Sequence, residues 1–205
     1  MTLIQLWRKL RYGEPVIIVS GLPRSGTSML MKMLAAGGLE IVSDGLRSAD
    51  EDNPKGYFEL EKIKDLDKNT DKSWLKDLRG KCVKIISFLL RDLPDNNNYR
   101  LIFVDRHLEE VIASQNKMLV RRGETGGATS DEKMIENYRE HLKRIKNMLA
   151  HKPCFEVLYL NHHDVISNPE EISRQVNDFL GLELDLDKMV TSVDPSLYRN
   201  RKVAP

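Results

Sequence analysis

The chain is poor in cysteine, nearly balanced in charge and without a long hydrophobic run, and each shortage removes a class of protein. Only two cysteines, Cys82 and Cys154, occur in 205 residues. Each sits in or beside an apolar strand-like run, so buried free thiols in a reducing compartment are expected rather than a disulfide or a metal site. Lysine and arginine number 32 against 31 aspartate and glutamate, a formal charge of +1. No global field then draws in nucleic acid or an anionic membrane, and any anion site must be local. No stretch is long and apolar enough for a signal peptide or a membrane span, so the expected location is cytoplasmic. The chain has no linker rich in proline, glycine or serine, no internal repeat and no low-complexity tract. One domain over residues 15–205 is expected, preceded by a helical extension over 1–14. His162 and His163 are adjacent without acids at ligand spacing, and no metal is expected.

Within the extension, Leu3, Leu6, Trp7 and Leu10 fall at helical spacing beside Arg8, Lys9 and Arg11. This stripe reads as a leading helix packed on the domain or on a second subunit, as in a homodimer. A short helix lying on a membrane surface is the alternative.

What the sequence does contain is concentrated between Pro15 and Ala36. Val16-Ile17-Ile18-Val19 is β-branched and continuously apolar, the pattern of a parallel strand covered on both faces. Gly21-Leu22-Pro23-Arg24-Ser25-Gly26-Thr27-Ser28 then turns into a helix whose first amides point outward beside the positive end of the dipole. The turn has the outline of the phosphate-binding pattern G-x-x-x-x-G-K-[ST], but Thr27 stands where that pattern requires lysine. That lysine reaches the outer phosphates of a nucleoside triphosphate, so its replacement argues against ATP or GTP hydrolysis. Arg24 supplies a cation instead. A strand-to-helix turn with no ligand is the plain alternative, and Arg24, Ser25, Thr27 and Ser28 within five positions weigh against it.

Residues 39–42, 81–87, 99–104 and 155–160 read as further strands. Residues 43–56, rich in turn formers and charge, are too long for a simple connection and read as a functional loop. Helical spacing begins at Tyr57 with Leu60, Ile63 and Leu66, and a short helix is expected over 74–78. After Asp105-Arg106-His107 a helix carries Leu108, Val111, Ile112, Met118 and Leu119. Thr129-x-x-Glu132 then resembles a capping box opening a long helix with Ile135, Tyr138, Leu142, Ile145 and Leu149. Ser167-Asn168-Pro169 starts another, which ends at Gly181. This alternation predicts a single α/β domain with a mainly parallel central sheet flanked by helices and right-handed crossovers.

Ligands of open parallel sheets bind beyond the carboxyl ends of the strands. There Arg106 follows the third strand, and Ser114 lies eight residues later, about two helical turns on and on the same face. One phosphate fits between them; an ordinary surface ion pair is the plain alternative for a lone arginine.

PRSGTS after a first strand, with Arg106 and Ser114 after a later one, resembles the nucleotide-binding signature of sulfotransferases that use 3′-phosphoadenosine 5′-phosphosulfate (PAPS). Asn53-Pro54-Lys55-Gly56-Tyr57-Phe58-Glu59 and the Asn168-Pro169 element are also similar to that family, especially its small bacterial members. The resemblance implies a P-loop NTPase-like fold with Arg24, Ser25, Gly26, Thr27 and Ser28 on the 5′-phosphosulfate and Arg106 and Ser114 on the 3′-phosphate. It extends to Leu197-Tyr198-Arg199-Asn200-Arg201-Lys202, similar to a basic loop through which Arg199 would reach the 3′-phosphate.

The implied reaction moves a sulfuryl group to a hydroxyl, amine or sugar of a small-molecule or carbohydrate acceptor, leaving adenosine 3′,5′-bisphosphate (PAP). Arg24 suits the charge of the leaving phosphate, and Lys84 either adds to it or points to solvent. Cytosolic small-molecule members place a histidine two residues after such a lysine, where this chain has Ile86. Carbohydrate-type members use a carboxylate after the loop helix, which implies Glu59 as base with Asp44 second; a helix N-terminal acid and a turn residue are the plain readings of these two. A P-loop nucleotide kinase-like phosphotransferase and a non-catalytic binder of PAP remain as alternatives.

Overall fold

Four of the apolar runs become the strands of one parallel sheet in the computed structural model, which describes residues 2–45, 58–124, 129–194 and 196. They are β1 (Pro15–Gly21), β2 (Cys82–Lys84), β3 (Asn98–Asp105) and β4 (Phe155–Asn161), in the order β2-β1-β3-β4 with every pair parallel. Alternate side chains go to opposite faces, and both faces are buried. Val16 and Ile18 of β1 join Val83, Tyr99, Leu101 and Phe103 in one core, while Ile17 and Val19 join Cys82, Ile102, Val104 and Leu160 in the other. This double burial is why the strands read as continuous apolar runs.

On the second face lie α2 (Thr27–Ala36), α7 (Pro169–Leu180) and α8 (Leu186–Ser192), which contribute Leu30, Leu34, Ile172, Val176 and Met189 to the core. The first face is covered by α5 (Asp131–His151) through Ile145 and Leu149, by α3 (Glu61–Lys64) through Ile63, and by two 3-10 turns, Ser73–Leu78 and Ser87–Asp92. Helix α4 (Leu108–Arg121) packs against α5, and α6 (His162–Ser167) follows β4 directly. At the amino terminus α1 (Leu3–Tyr12) is closed by a reciprocal capping box between Thr2 and Gln5. From β1 the chain goes to β2 on one side and then to β3 on the other. This reversal opens a crevice at the carboxyl ends of β1 and β3.

Several boundaries differ from the sequence reading, each for a local reason. Residues 39–42 add only a bridge from Ile41 to Cys82, although backbone bonds from Cys82 to Glu40 and from Val42 to Cys82 (both 2.8 Å) keep them along the outer side of β2. The run 81–87 yields a three-residue strand because the chain enters a 3-10 turn at Ser87. The helix expected from Tyr57 is one turn, Glu61–Lys64, whose N-cap Leu60 offers no side-chain acceptor. Ser130, not Thr129, caps α5, accepting from the Lys133 amide at 3.4 Å. Pro169 opens α7 as expected, but Asn168 makes no side-chain cap. Cys82 and Cys154 are buried free thiols in the two different cores, and burial pushes both pKa values up. Among the described residues no helix is long and apolar enough to cross a membrane.

Candidate functional site

The turn leaving β1 is shaped by two close approaches that exclude any side chain. A Cβ on Gly21 would lie 2.6 Å from the carbonyl oxygen of Val104 on β3, and one on Gly26 would lie 2.4 Å from Cδ2 of His162. Gly26 is the N-cap of α2 and has φ of 102°, a left-handed conformation that glycine adopts without strain. The first helical bond runs from Leu30 N to Gly26 O (3.2 Å), so the amides of Thr27, Ser28 and Met29 stand outside the helical ladder at the positive end of α2. Ser25 is buried, and its hydroxyl has no hydrogen-bond partner among the described residues, as is also true of Ser20 at the end of β1. Buried hydroxyls of this kind call for an explanation, and a ligand is one.

Arg24 is the pivot of the turn. It is half-buried and has φ of 71°, unusual for a residue with a side chain and tolerated where the surroundings enforce it. The surroundings do so at two points. Nη1 of Arg106 donates to the Arg24 carbonyl at 3.0 Å, and Nε of Arg24 donates to Oγ of Ser114 at 3.1 Å. Arg106 is itself fixed by Glu110, with Nε to Oε2 at 2.9 Å one helical turn on, both side chains being under a tenth exposed. The turn after β1, the exit of β3 and the second turn of α4 are thus joined by Arg24, Arg106 and Ser114.

The remaining predicted residues form a neighbouring group. Lys84 is opposite Val19 in the register of β2 with β1, two residues before the loop begins. Its side chain is buried rather than turned to solvent, and Nζ lies 3.4 Å from Oε1 of Glu59. Glu59 also meets Lys64 through its other oxygen, at 3.5 Å. Asp44 accepts the backbone N–H of Glu61 at 2.5 Å and donates its own N–H to the Glu59 carbonyl at 3.1 Å. Its carboxylate therefore caps α3 from a distant part of the chain. Arg199 and the rest of the basic segment 197–202 lie outside the described residues, as do 46–57, which include Asn53 to Tyr57.

Two histidines that the sequence reading did not place at the site have distinctive surroundings, and the first lies against the loop itself. His162 begins α6 immediately after β4, is buried, and lies with its ring edge against Gly26. Burial, reinforced by the Arg106 guanidinium and opposed by Glu110, lowers its pKa to about 3, so the ring is neutral. Its position as the first residue past a strand end was the available signal. His141, on α5, brings Nε2 within 2.9 Å of the Ser87 hydroxyl and stacks on Phe88 with ring centroids 3.9 Å apart. Burial also lowers its pKa. Ser87 is three residues past Lys84, but nothing in the sequence pairs it with a histidine 54 positions on.

Beside Arg106 a cleft of about 320 Å³ opens between Asp105, Arg106, His107, Leu108, Glu109, Arg139 and Asn161. No group of three or more metal-ligating side chains occurs among the described residues.

Solved structures share this fold. The sulfotransferase domain of the Synechococcus olefin synthase matches with a TM-score of 0.57 at 16% identity, over 94% of this chain and 90% of that domain. The sulfotransferase domain from the curacin biosynthetic pathway matches with a TM-score of 0.53 at 17% identity, over 94% and 93%. A mouse sulfotransferase complexed with PAP matches with a TM-score of 0.51 at 13% identity, over 98% of this chain and 72% of that one. No protein-family model and no curated protein matches the chain. The chain therefore has a sulfotransferase-like fold, a single α/β unit with a four-stranded parallel sheet flanked by helices.

Proposed function

We propose that the protein is a sulfotransferase that takes the sulfuryl group of PAPS and passes it to a hydroxyl, amine or sugar acceptor. The observation that carries this reading is the junction of Arg24, Arg106 and Ser114, which ties a lysine-free anion loop to a second polar site one strand away. A nucleotide carrying anionic groups at both its 5′ and 3′ positions suits such a pair, and the buried Ser25 hydroxyl fits an anionic guest. When bound, the donor supplies an activated sulfur–oxygen bond whose electron pair departs with the 5′-phosphate.

The chain's own residues divide the remaining work. The amides at the start of α2, with Ser25, Thr27, Ser28 and the Arg24 guanidinium, hold the 5′ end and stabilise the charge that develops on the departing phosphate. Lys84, buried next to the loop, adds a second cation there. Arg106 and Ser114 hold the 3′-phosphate, and Arg199 joins them. Glu59, held on Lys84, receives the acceptor's proton as the new oxygen–sulfur or nitrogen–sulfur bond forms.

Thermal unfolding with added nucleotide tests the cofactor class. PAP without magnesium is expected to raise the midpoint, since a ligand at 100 times its dissociation constant adds about 2.7 kcal/mol. Stabilisation by Mg-ATP alone would overturn the assignment in favour of a phosphotransferase. Stabilisation by PAP without transfer to any of a panel of alcohols, amines and sugars would identify a non-catalytic binder.

A further inference from the structure

An amphipathic helix of a globular domain ordinarily turns its apolar side to the core. Helix α1 does the reverse. Nε2 of Gln5 donates to Glu156 at 3.0 Å, Nε of Arg8 donates to the Pro153 carbonyl at 2.9 Å, and Arg8 pairs with Glu156 at 3.5 Å. These contacts fix the polar side on the start of β4. The apolar residues point away: Leu3 is 85% exposed, Leu10 80%, Trp7 49% and Leu6 40%. At ~100° per residue these four fill an arc of ~100°, edged by Lys9 on one side and on the other by Arg11, beside which lies Ile4, 63% exposed. The ten residues of the helix include no acid, and the helix is capped at both ends by its own chain.

A second copy of the chain is a poor occupant for this face. Ten residues make a helix ~15 Å long, and a face ~10 Å wide covers only ~150 Å² per partner, against about 800 Å² a side in a stable interface. Pairing two such faces also sets the Lys9 and Arg11 edges of both copies together with no acid on either helix. An anionic bilayer surface accepts both features, because the apolar arc enters the acyl boundary while the flanking cations stay among the headgroups. Lys9 pairs with Glu14 in an exposed contact of the kind that headgroups displace readily.

We propose that α1 is a surface anchor for membranes containing anionic lipid, with Leu3, Leu6, Trp7 and Leu10 as the inserting face and Lys9 and Arg11 as headgroup contacts. The anchor is at the amino ends of the strands: Glu156 is the second residue of β4, and the Gly13 carbonyl accepts from Asn98, the first residue of β3 (3.1 Å). The loop and arginine cluster are at the carboxyl ends, roughly 20 Å away along strands of this length. A docked molecule therefore opens its site away from the bilayer.

Co-sedimentation of the full chain with vesicles tests this. Phosphatidylcholine vesicles containing about 30% phosphatidylserine should pellet the protein at low salt, neutral vesicles should not, and high salt should release it. Leu3→Gln with Leu10→Gln should cut the bound fraction roughly tenfold, and Lys9→Gln with Arg11→Gln should erase the preference for anionic vesicles. All four positions are exposed; an unchanged unfolding midpoint confirms that each variant folds. Independently, in a Trp74→Phe background, Trp7 emission should shift to the blue on anionic vesicles and be quenched by brominated lipid. Absence of binding to anionic vesicles, or equal binding to neutral ones, would overturn the proposal. So would a solution dimer that the Leu3→Gln and Leu10→Gln pair dissociates, since it gives the face to a second copy.

Discussion

His162 should make the protein sensitive to mild acid. Its folded pKa of about 3 lies well below the 6.5 of an exposed imidazole, chiefly through burial and then through the Arg106 guanidinium. Between those values the unfolded chain binds a proton that the folded chain refuses, so stability must rise with pH across that window. The contribution is fully present above pH 6.5 and is lost as the pH falls toward 3. Evaluating the two titrations at pH 7 and pH 5 gives a loss of about 2 kcal/mol from this one group. For a chain of this size that is a fall of roughly 4–8 °C in unfolding midpoint. Carboxylates and other histidines titrate too, so the informative quantity is the difference between the wild type and His162→Gln. The variant can be less stable at every pH, yet its loss between pH 7 and pH 5 should be smaller by about 2 kcal/mol, measured by urea unfolding at each pH. Equal losses in the two proteins would refute the reasoning, because they would mean that the ring accepts a proton in place.

Gly26→Ala should destabilise the chain by about 1–3 kcal/mol and weaken PAP binding, since the new methyl group must push the His162 ring while its backbone stays at positive φ; calorimetry with and without PAP reads both effects. Arg106→Ala should cost about 3–5 kcal/mol by breaking its buried ion pair with Glu110, and Arg106→Met with Glu110→Met should recover most of it without recovering PAP binding. If the single and double variants unfold alike, the ion pair is not the source of the loss. For Glu59→Gln, sulfuryl transfer should fall by about 10²-fold or more while PAP still raises the unfolding midpoint, and unchanged turnover would remove Glu59 from the mechanism.

The strands and the loop were legible because their signals are local and strong. Val16 to Val19 must be apolar on both faces to be buried between two helical layers, and Gly21 and Gly26 must be glycine where Val104 and His162 approach. Boundaries failed where nothing local fixes them, as at Leu60, whose own side chain cannot cap α3 and leaves that to Asp44 far upstream, and at residues 39–42, which gain one bridge. The apolar stripe of α1 was visible, but its direction was not. Whether Leu3 and Leu10 face the core or solvent depends on Gln5 and Arg8 finding Glu156, some 150 positions away. The same distance hid the site's wiring. No periodicity announces that Arg24 will reach Ser114 across 90 residues, or that His141 will meet Ser87.

The bond from Arg24 to Ser114 also determines what the serine can offer. A hydroxyl is both donor and acceptor, but here the guanidinium N–H fills an acceptor position at 3.1 Å and leaves the hydroxyl proton as the group directed elsewhere. A donation received from a cation also polarises the O–H and strengthens what it gives in turn. Ser114 thereby passes the polarisation of the Arg24 guanidinium from the turn after β1 to whatever its own proton meets. It favours a neighbour that only accepts, such as a phosphate oxygen, and disfavours an ammonium or an amide N–H in the same place.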